Sequence, residues 1–309
     1  MTSENAKIGF IGFGEVAYHF SQRLKEEGVK LILAYDKAVS ESPHREIIHR
    51  RSSEAQVELT SSLEELLKRS ELVVSSVWGH VALNVAREAA HFIRKDQVYA
   101  DLNNSAPSAK EKGAEAIDAQ GGRFADIALF ALAYKPGQKS LLLVSGNGAE
   151  QVKAALGQYR AIDVEVVRGK AGRATTIKAL TKIYFLCYQA LSLELALSAR
   201  TAGIELDIIE PLLVRSTSTL PREKELVFWL IRAGLQAERK SVEILENLEA
   251  MKEWGIEPIM MEAAMKRFRL AAEYKLKDYF KGELLPLQEY GKMLDAIDEI
   301  GREKNIPLK

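Results

Sequence analysis

The run Gly12-Phe13-Gly14-Glu15-Val16-Ala17 restricts the fold of this chain more than any other feature. It follows a strand-like apolar run, Lys7-Ile8-Gly9-Phe10-Ile11, and precedes a helical stretch from Tyr18 to Glu27 that Gly28 closes. A second strand pattern, Val29 to Tyr35, ends on Asp36. In that strand, turn, helix, strand order a glycine fingerprint signifies a dinucleotide site. Gly12 permits a tight turn, Gly14 lets a pyrophosphate approach bare backbone, and Ala17 lets the helix pack closely on the strand. Phe13, Glu15 and Val16 complete the binding turn, and the helix start turns free N–H groups and a positive dipole end toward phosphate. Asp36 lies about 20 residues further on, where a carboxylate bonds the ribose hydroxyls. A carboxylate there repels the extra phosphate of NADP, so NAD is the preferred cofactor. Lys37 and Arg45 are close enough in sequence to neutralise that phosphate, so NADP stays open.

Length and charge exclude several alternatives. A chain of 309 residues fits two domains better than one. The 43 basic and 43 acidic residues cancel, so no global field draws the chain to nucleic acid or to a membrane surface. Cys187 is the single cysteine, which rules out an internal disulfide and fits a reducing, cytoplasmic setting. Its neighbours Leu186 and Tyr188 point to a buried, inert thiol. The longest apolar candidate, Ile183 to Leu197, carries Gln189, Ser192 and Glu194 and is too short to span a bilayer. The short polar start does not resemble a signal peptide.

Strand and helix patterns alternate through the first half. Val57 to Leu59 is a short strand, Ser61 or Ser62 caps a helix over Leu63 to Arg69, and Leu72 to Val77 is a buried strand. A helix over Ala82 to Arg94, a strand over Val98 to Leu102 and a helix over Ser108 to Gln120 follow. Strands at Arg123 to Asp126, Leu141 to Ser145 and Asp163 to Val167, with a helix at Ala149 to Leu156, complete the half. The polar stretch Lys37 to Glu54 carries no assigned element. The expected fold is an α/β Rossmann domain, a doubly wound and mainly parallel sheet over residues 1–168. After Gly169 the strand patterns vanish. Helical patterns fill residues 169–309, over 174–202, 206–215, 224–253, 258–276 and 287–303, which predicts an all-α second domain.

The chemistry concentrates where the two textures meet. The segment Gly169-Lys170-Ala171-Gly172-Arg173-Ala174 is rich in small residues and opens the longest helix, so that helix start can lie close to a ligand. Lys178 and Lys182 are four residues apart on one helix face, which Phe185 and Gln189 continue. Each ammonium disfavours the charge on the other. A lysine brought down from its usual pKa of about 10.4 can exchange protons near neutral pH. Asn103, Asn104 and Ser105 end one strand, and Val77 and Trp78 end another, where ligands of open α/β sheets collect. No metal-ligand spacing links His19, His44, His49, His80 and His91. The hydroxyl-rich stretch Arg215 to Thr219 reads as a turn at a helix end.

The pieces Gly9-Phe10-Ile11-Gly12-Phe13-Gly14-Glu15-Val16-Ala17, Asp101-Leu102-Asn103-Asn104-Ser105-Ala106-Pro107 and Gly172-Arg173-Ala174-Thr175-Thr176-Ile177-Lys178 resemble the β-hydroxyacid dehydrogenase superfamily. That group includes 3-hydroxyisobutyrate, tartronate semialdehyde and 6-phosphogluconate dehydrogenases, and the resemblance runs in order over nearly the whole chain. The stretches 178–182, 237–243 and 254–260 resemble its phosphogluconate-dehydrogenase-like, NAD-binding branch. The resemblance implies an NAD(P)-dependent enzyme acting on a hydroxyacid-type substrate, a sugar acid or a phosphorylated one included, held between the two domains. It places Lys178 at the family's proton-transferring lysine, Asn103 and Ser105 in the loop beside the nicotinamide and substrate, and Lys240 near a second helix-borne lysine. It also exposes departures. The family's Ser-Gly-Gly turn, which binds the substrate carboxylate, is replaced by Phe130, Ala131 and Leu132, and the Asn after the lysine by Thr181 and Lys182. Lys182 stands where it can make up for lost anion contacts. The apolar helix after Lys178 exceeds what a small domain needs for its own core and predicts a homodimer. Two alternatives remain, reduction of an imine on the same fold, and a dinucleotide-binding sensor that has lost turnover.

Overall fold

The computed structural model describes residues 7–40, 44–217 and 224–306. In chain order the first half contains β1 (Ile8–Ile11), α1 (Glu15–Glu26), β2 (Ile32–Tyr35), α2 (His44–Glu54), β3 (Glu58–Leu59) and α3 (Leu63–Arg69). Then come β4 (Leu72–Ser75), α4 (Ala82–Ala90), β5 (Val98–Asp101), α5 (Pro107–Ala119) and β6 (Arg123–Ala131). β7 (Ser140–Ser145), α6 (Ala149–Leu156) and β8 (Ile162–Val166) complete the sheet layer. The strands form one eight-stranded sheet in the order β3-β2-β1-β4-β5-β6-β7-β8. Every neighbouring pair is parallel except β6 and β7. This is the doubly wound, mainly parallel sheet expected from the sequence.

The strand residues are apolar on both faces because helices cover both. One side packs Ile8, Phe10, Ile32, Val74 and Val98 with Phe20 and Leu24 of α1. The other packs Ile11, Leu33, Val73 and Tyr99 with Leu63, Leu66 and Leu67 of α3. Ser62 caps α3 by accepting the N–H of Glu65, so the second of the two candidate serines is the cap. Chain order reverses between β1 and β4, and the crevice beyond the ends of those strands is the topological switch point where ligands bind.

The helical half contains α7 (Arg173–Ala202), α8 (Leu206–Thr217), α9 (Glu225–Leu235), α10 (Ala237–Glu253), α11 (Ile259–Glu273), α12 (Leu276–Tyr279) and α13 (Tyr290–Lys304). The chain divides into two compact units that part between Ile183 and Tyr184, within α7. In the second unit Ile231, Leu235, Tyr274, Leu276, Met293 and Ile300 form a core of their own.

Three expectations need correction. The polar stretch 37–54 contains a helix, α2, which buries only Ile48 and Ser52 and therefore shows almost no apolar period. The single helix expected over 224–253 is two, broken at Gln236, which leaves helical geometry at φ −112 and ψ 15. β6 runs on to Ala131 rather than stopping at Asp126, because β7 folds back antiparallel and supplies the backbone partners. Arg215, Ser216 and Thr217 end α8, while Ser218 and Thr219 lie outside the described residues.

Candidate active site

The phosphate end is built from the first turn of the chain. Gly12 takes φ +84, and its N–H donates to the Tyr35 carbonyl at 2.8 Å. A Cβ at Gly12 would stand 2.5 Å from the backbone oxygen of Ser76, so only glycine lets the β1 and β4 loops touch. Gly14 is the N-cap of α1 and offers no side chain to the helix start. A Cβ built there meets nothing within 4 Å, so the space in front of the free N–H groups of Glu15 and Val16 is open. Phe13 does different work: its ring is fully buried in the core and its N–H donates to Asp36 Oδ2 at 2.7 Å. Asp36 Oδ1 takes the Ala38 N–H at 2.9 Å, so the carboxylate is held in place at the end of β2. This cradle, with its open helix start and fixed acid, fits a dinucleotide.

Gly14→Asp separates binding from folding. Aspartate is a good N-cap, so the melting temperature should hold or rise. The same carboxylate would occupy the anion's place, and the dissociation constants for NAD and NADP should rise by about tenfold or more. Unchanged affinity by calorimetry would remove this turn from the cofactor site.

The β4 and β5 loops meet next to this turn. The Val77 N–H donates to Asn103 Oδ1 at 2.6 Å, and Asn103 Nδ2 donates to Ser75 Oγ at 2.9 Å and Asp101 Oδ1 at 2.7 Å. Asn103 is buried and binds the two strand ends together. Gly79 makes the approach possible, since a Cβ there would sit 2.1 Å from the Asn104 carbonyl oxygen. Trp78 projects from the same loop, 79% exposed. Ser105 Oγ is shielded from solvent without a hydrogen-bond partner among the described residues.

The start of α7 is tied to the sheet by buried charge. Asp126 Oδ2 accepts the N–H groups of Gly172 and Thr175, each at 3.0 Å, and its Oδ1 accepts the Thr175 hydroxyl at 2.6 Å. Ser145 Oγ, 3.2 Å from Asp126 Oδ2, accepts the Ala174 N–H at 3.0 Å. The anchored helix carries Lys178 one turn further on, half-buried, and Lys182 Nζ reaches Asn104 Oδ1 at 3.4 Å. Burial pushes the Lys178 amine down to about 8, with help from the nearby charges of Lys182 and Lys110, while Asp126 pulls the other way. Asn103, Asn104, Ser105, Lys178 and Lys182 thus belong to one end of the sheet unit. Lys240 lies in the second unit on α10 and pairs with Glu243 Oε2 at 2.8 Å.

Sequence reasoning missed the ammonium beneath this helix. Lys110 of α5 is fully buried, 2.8 Å from the Asp101 carbonyl oxygen, 2.9 Å from Asp101 Oδ1 and 3.5 Å from Asp126 Oδ1. The available signal was an aspartate closing each of two adjacent buried strand runs, since Asp101 and Asp126 face each other in register. Cys187 is a correction as well: it is exposed, because α7 leaves its apolar middle uncovered in the single chain. No metal-ligand cluster occurs among the described residues.

Residues 7–131 match the family model for the NAD binding domain of 6-phosphogluconate dehydrogenase. That segment is similar to the family's dinucleotide-binding domain, and relatives match over most of the chain. A conserved protein described as structurally similar to 3-hydroxyacid dehydrogenases is 29% identical, with 90% of this chain and 99% of that one covered and a TM-score of 0.58. An uncharacterized 28.5 kDa protein from the 7S RNA 5′ region of Methanothermus fervidus is 25% identical, over 85% of this chain and 98% of its own. An imine reductase from Bacillus cereus shares the fold at a TM-score of 0.72 and 16% identity, over 94% of this chain and 99% of that chain. No described helix is long and apolar enough to cross a membrane.

Proposed function

We propose that this chain is an NAD(P)-dependent oxidoreductase of the hydroxyacid dehydrogenase type, with Lys178 as its general acid and base. The observation that carries this reading is a half-buried lysine, one turn before the Lys182 that reaches Asn104, with its amine brought down to about 8. A nicotinamide, when bound, supplies or accepts the hydride. In oxidation the neutral Lys178 amine takes the hydroxyl proton as hydride leaves the same carbon. In reduction the ammonium returns that proton to the forming alkoxide. Lys182 reaches Asn104 of the 103–105 loop, and Ser105 Oγ is a hydroxyl with bonding capacity to spare. The fixed carboxylate of Asp36 favours NAD over NADP, because a 2′-phosphate would face it.

Absorbance turnover tests the reading, with NAD and NADP against 3-hydroxyacids, sugar acids, their phosphates and cyclic imines. Turnover of a hydroxyacid supports it. Turnover of imines alone replaces it with imine reduction, which the apolar residues Phe130, near the end of β6, and Leu132, just after it, and the shared reductase fold also fit. Binding without any turnover replaces it with a sensor.

The oligomeric state belongs to the same proposal. Leu180, Ile183, Leu186 and Leu193 of α7 are each more than half exposed in the single chain, as is Ile208 of α8. Exposed apolar residues in this number along a helix mark an interface, and we infer that a second copy covers them. Sedimentation should give a dimer, and Leu186→Glu should shift it to monomer. A wild-type monomer at every concentration would overturn the dimer.

A further inference from the structure

We propose that Lys110, together with Asp101 and Asp126, is the positioning element for Lys178: the buried triad ties the first turn of α7 to the end of β5 and the middle of β6, and so sets the place of the lysine one turn before Lys182, which reaches the 103–105 loop. The inference rests on the reading of Lys178 as the proton-transferring group, and it adds three residues that touch neither substrate nor cofactor.

The geometry is specific. A lysine with no exposure gives up its hydration, and this one regains three oxygen neighbours from two adjacent strands. Asp126 then uses both of its oxygens on α7, through two N–H groups and the Thr175 hydroxyl. Asp101 uses Oδ1 on Lys110 and on the backbone and side chain of Asn103, the residue that also grips Val77. One ammonium therefore links the helix start to both loops of the cofactor crevice. A support for the fold alone could be made of apolar residues of similar volume, often at no loss of stability. A buried charge next to a proton-exchanging lysine does something an apolar residue cannot. It repels the Lys178 ammonium, together with Lys182 on the same helix, while Asp126 attracts it.

The signs of substitution follow. Lys110→Met removes a positive neighbour and favours protonated Lys178. Asp101→Asn removes a negative charge that offsets Lys110 and disfavours protonated Lys178. It also keeps its hydrogen bonds, because all three converge on Oδ1, which the amide oxygen can replace. Lys110→Arg keeps the charge.

The test is competitive acetylation of the folded, cofactor-free chain from about pH 6 to about pH 11, with Lys178 read by peptide mass spectrometry. The wild-type midpoint should fall near 8. Lys110→Met should move it up by about one pH unit, Lys110→Arg should leave it close to wild type, and Asp101→Asn should move it down. Simple loosening of the helix would move Met and Asn variants the same way, toward the ordinary lysine value, and that outcome overturns the proposal. So does an unmoved midpoint in Lys110→Met. Should the Met variant not fold, the Asp101→Asn shift decides alone, and its absence overturns the proposal. Labelling needs no turnover, so it stands even where Lys178→Ala keeps its activity and the catalytic reading fails.

Discussion

Lys178→Ala should lower kcat by about 10²–10⁴-fold while leaving dinucleotide affinity near wild type, because proton transfer to or from a positioned side chain contributes about that much. Lys178→Arg should fare no better, since a guanidinium keeps the charge but does not give up its proton. The pH dependence is the sharper signature. Oxidation needs the neutral amine, so its rate should rise with pH and level off above about 8. Reduction needs the ammonium, so its rate should fall across the same range. Both limbs should vanish in Lys178→Ala. The stability effect has the opposite sign from the kinetic one. The amine sits below its ordinary value of 10.5 in the folded chain, so the unfolded chain holds more protons between about 8 and 10.5. Wild-type stability therefore rises with pH through that window and is lower below it. Lys178→Ala removes the burden, and near pH 7 it should unfold at the same denaturant concentration as wild type or a higher one. Full turnover in the Ala variant would take Lys178 out of the mechanism.

Asp126→Ala should cost about 3–5 kcal/mol, the largest stability loss expected from a single polar substitution here. The carboxylate is fully buried and receives Gly172 N–H, Thr175 N–H, the Thr175 hydroxyl and a Ser145 contact. Without it those donors lie in a dry interior, and Lys110 is left with Asp101 as its one carboxylate partner. Asp96→Asn is the fitting comparison. Asp96 pairs with Arg123 at 2.8 Å on the surface, and an exposed pair contributes at most about 1 kcal/mol. Asparagine also tolerates the positive φ of that position. Urea unfolding of the two variants should differ by several-fold in lost stability. Equal losses would mean that the anchor of α7 is replaceable and that the buried charges hold little.

The secondary-structure readings that agree with the fold rest on short-range chemistry. Gly12, Gly14, Ala17 and Asp36 fall within one strand, turn, helix, strand unit, so their spacing alone carries their geometry. The helix over Leu63 to Arg69 was legible because Ser62, Glu65 and the apolar positions 63, 66 and 67 all agree. The readings that failed lacked a local signal. α2 is mostly charged, and its two buried residues are too few to form a periodic pattern. The break at Gln236 carries no proline. It lies beside Gly234, where a Cβ would stand 2.7 Å from Met293 Sδ, and that crowding comes from α13. Cys187 looked buried because its neighbours are apolar, but an apolar face is covered only if something packs on it.

Local sequence is enough for the order of the strands and of most helices, the glycine turn, the acid at the end of β2 and the lysine pair on α7. Each follows from residues within a few turns of one another, where propensity and spacing act directly. The proton affinity of Lys178 depends instead on the fold. Its lowered proton affinity arises from burial and from the charges of Lys182 and Lys110 against that of Asp126, and Lys110 and Asp126, far away along the chain, meet it because β5 and β6 are neighbours in the sheet and Asp126 holds the start of α7. Electrostatic energy depends on separation in space and on exclusion of water, and neither is a property of sequence spacing.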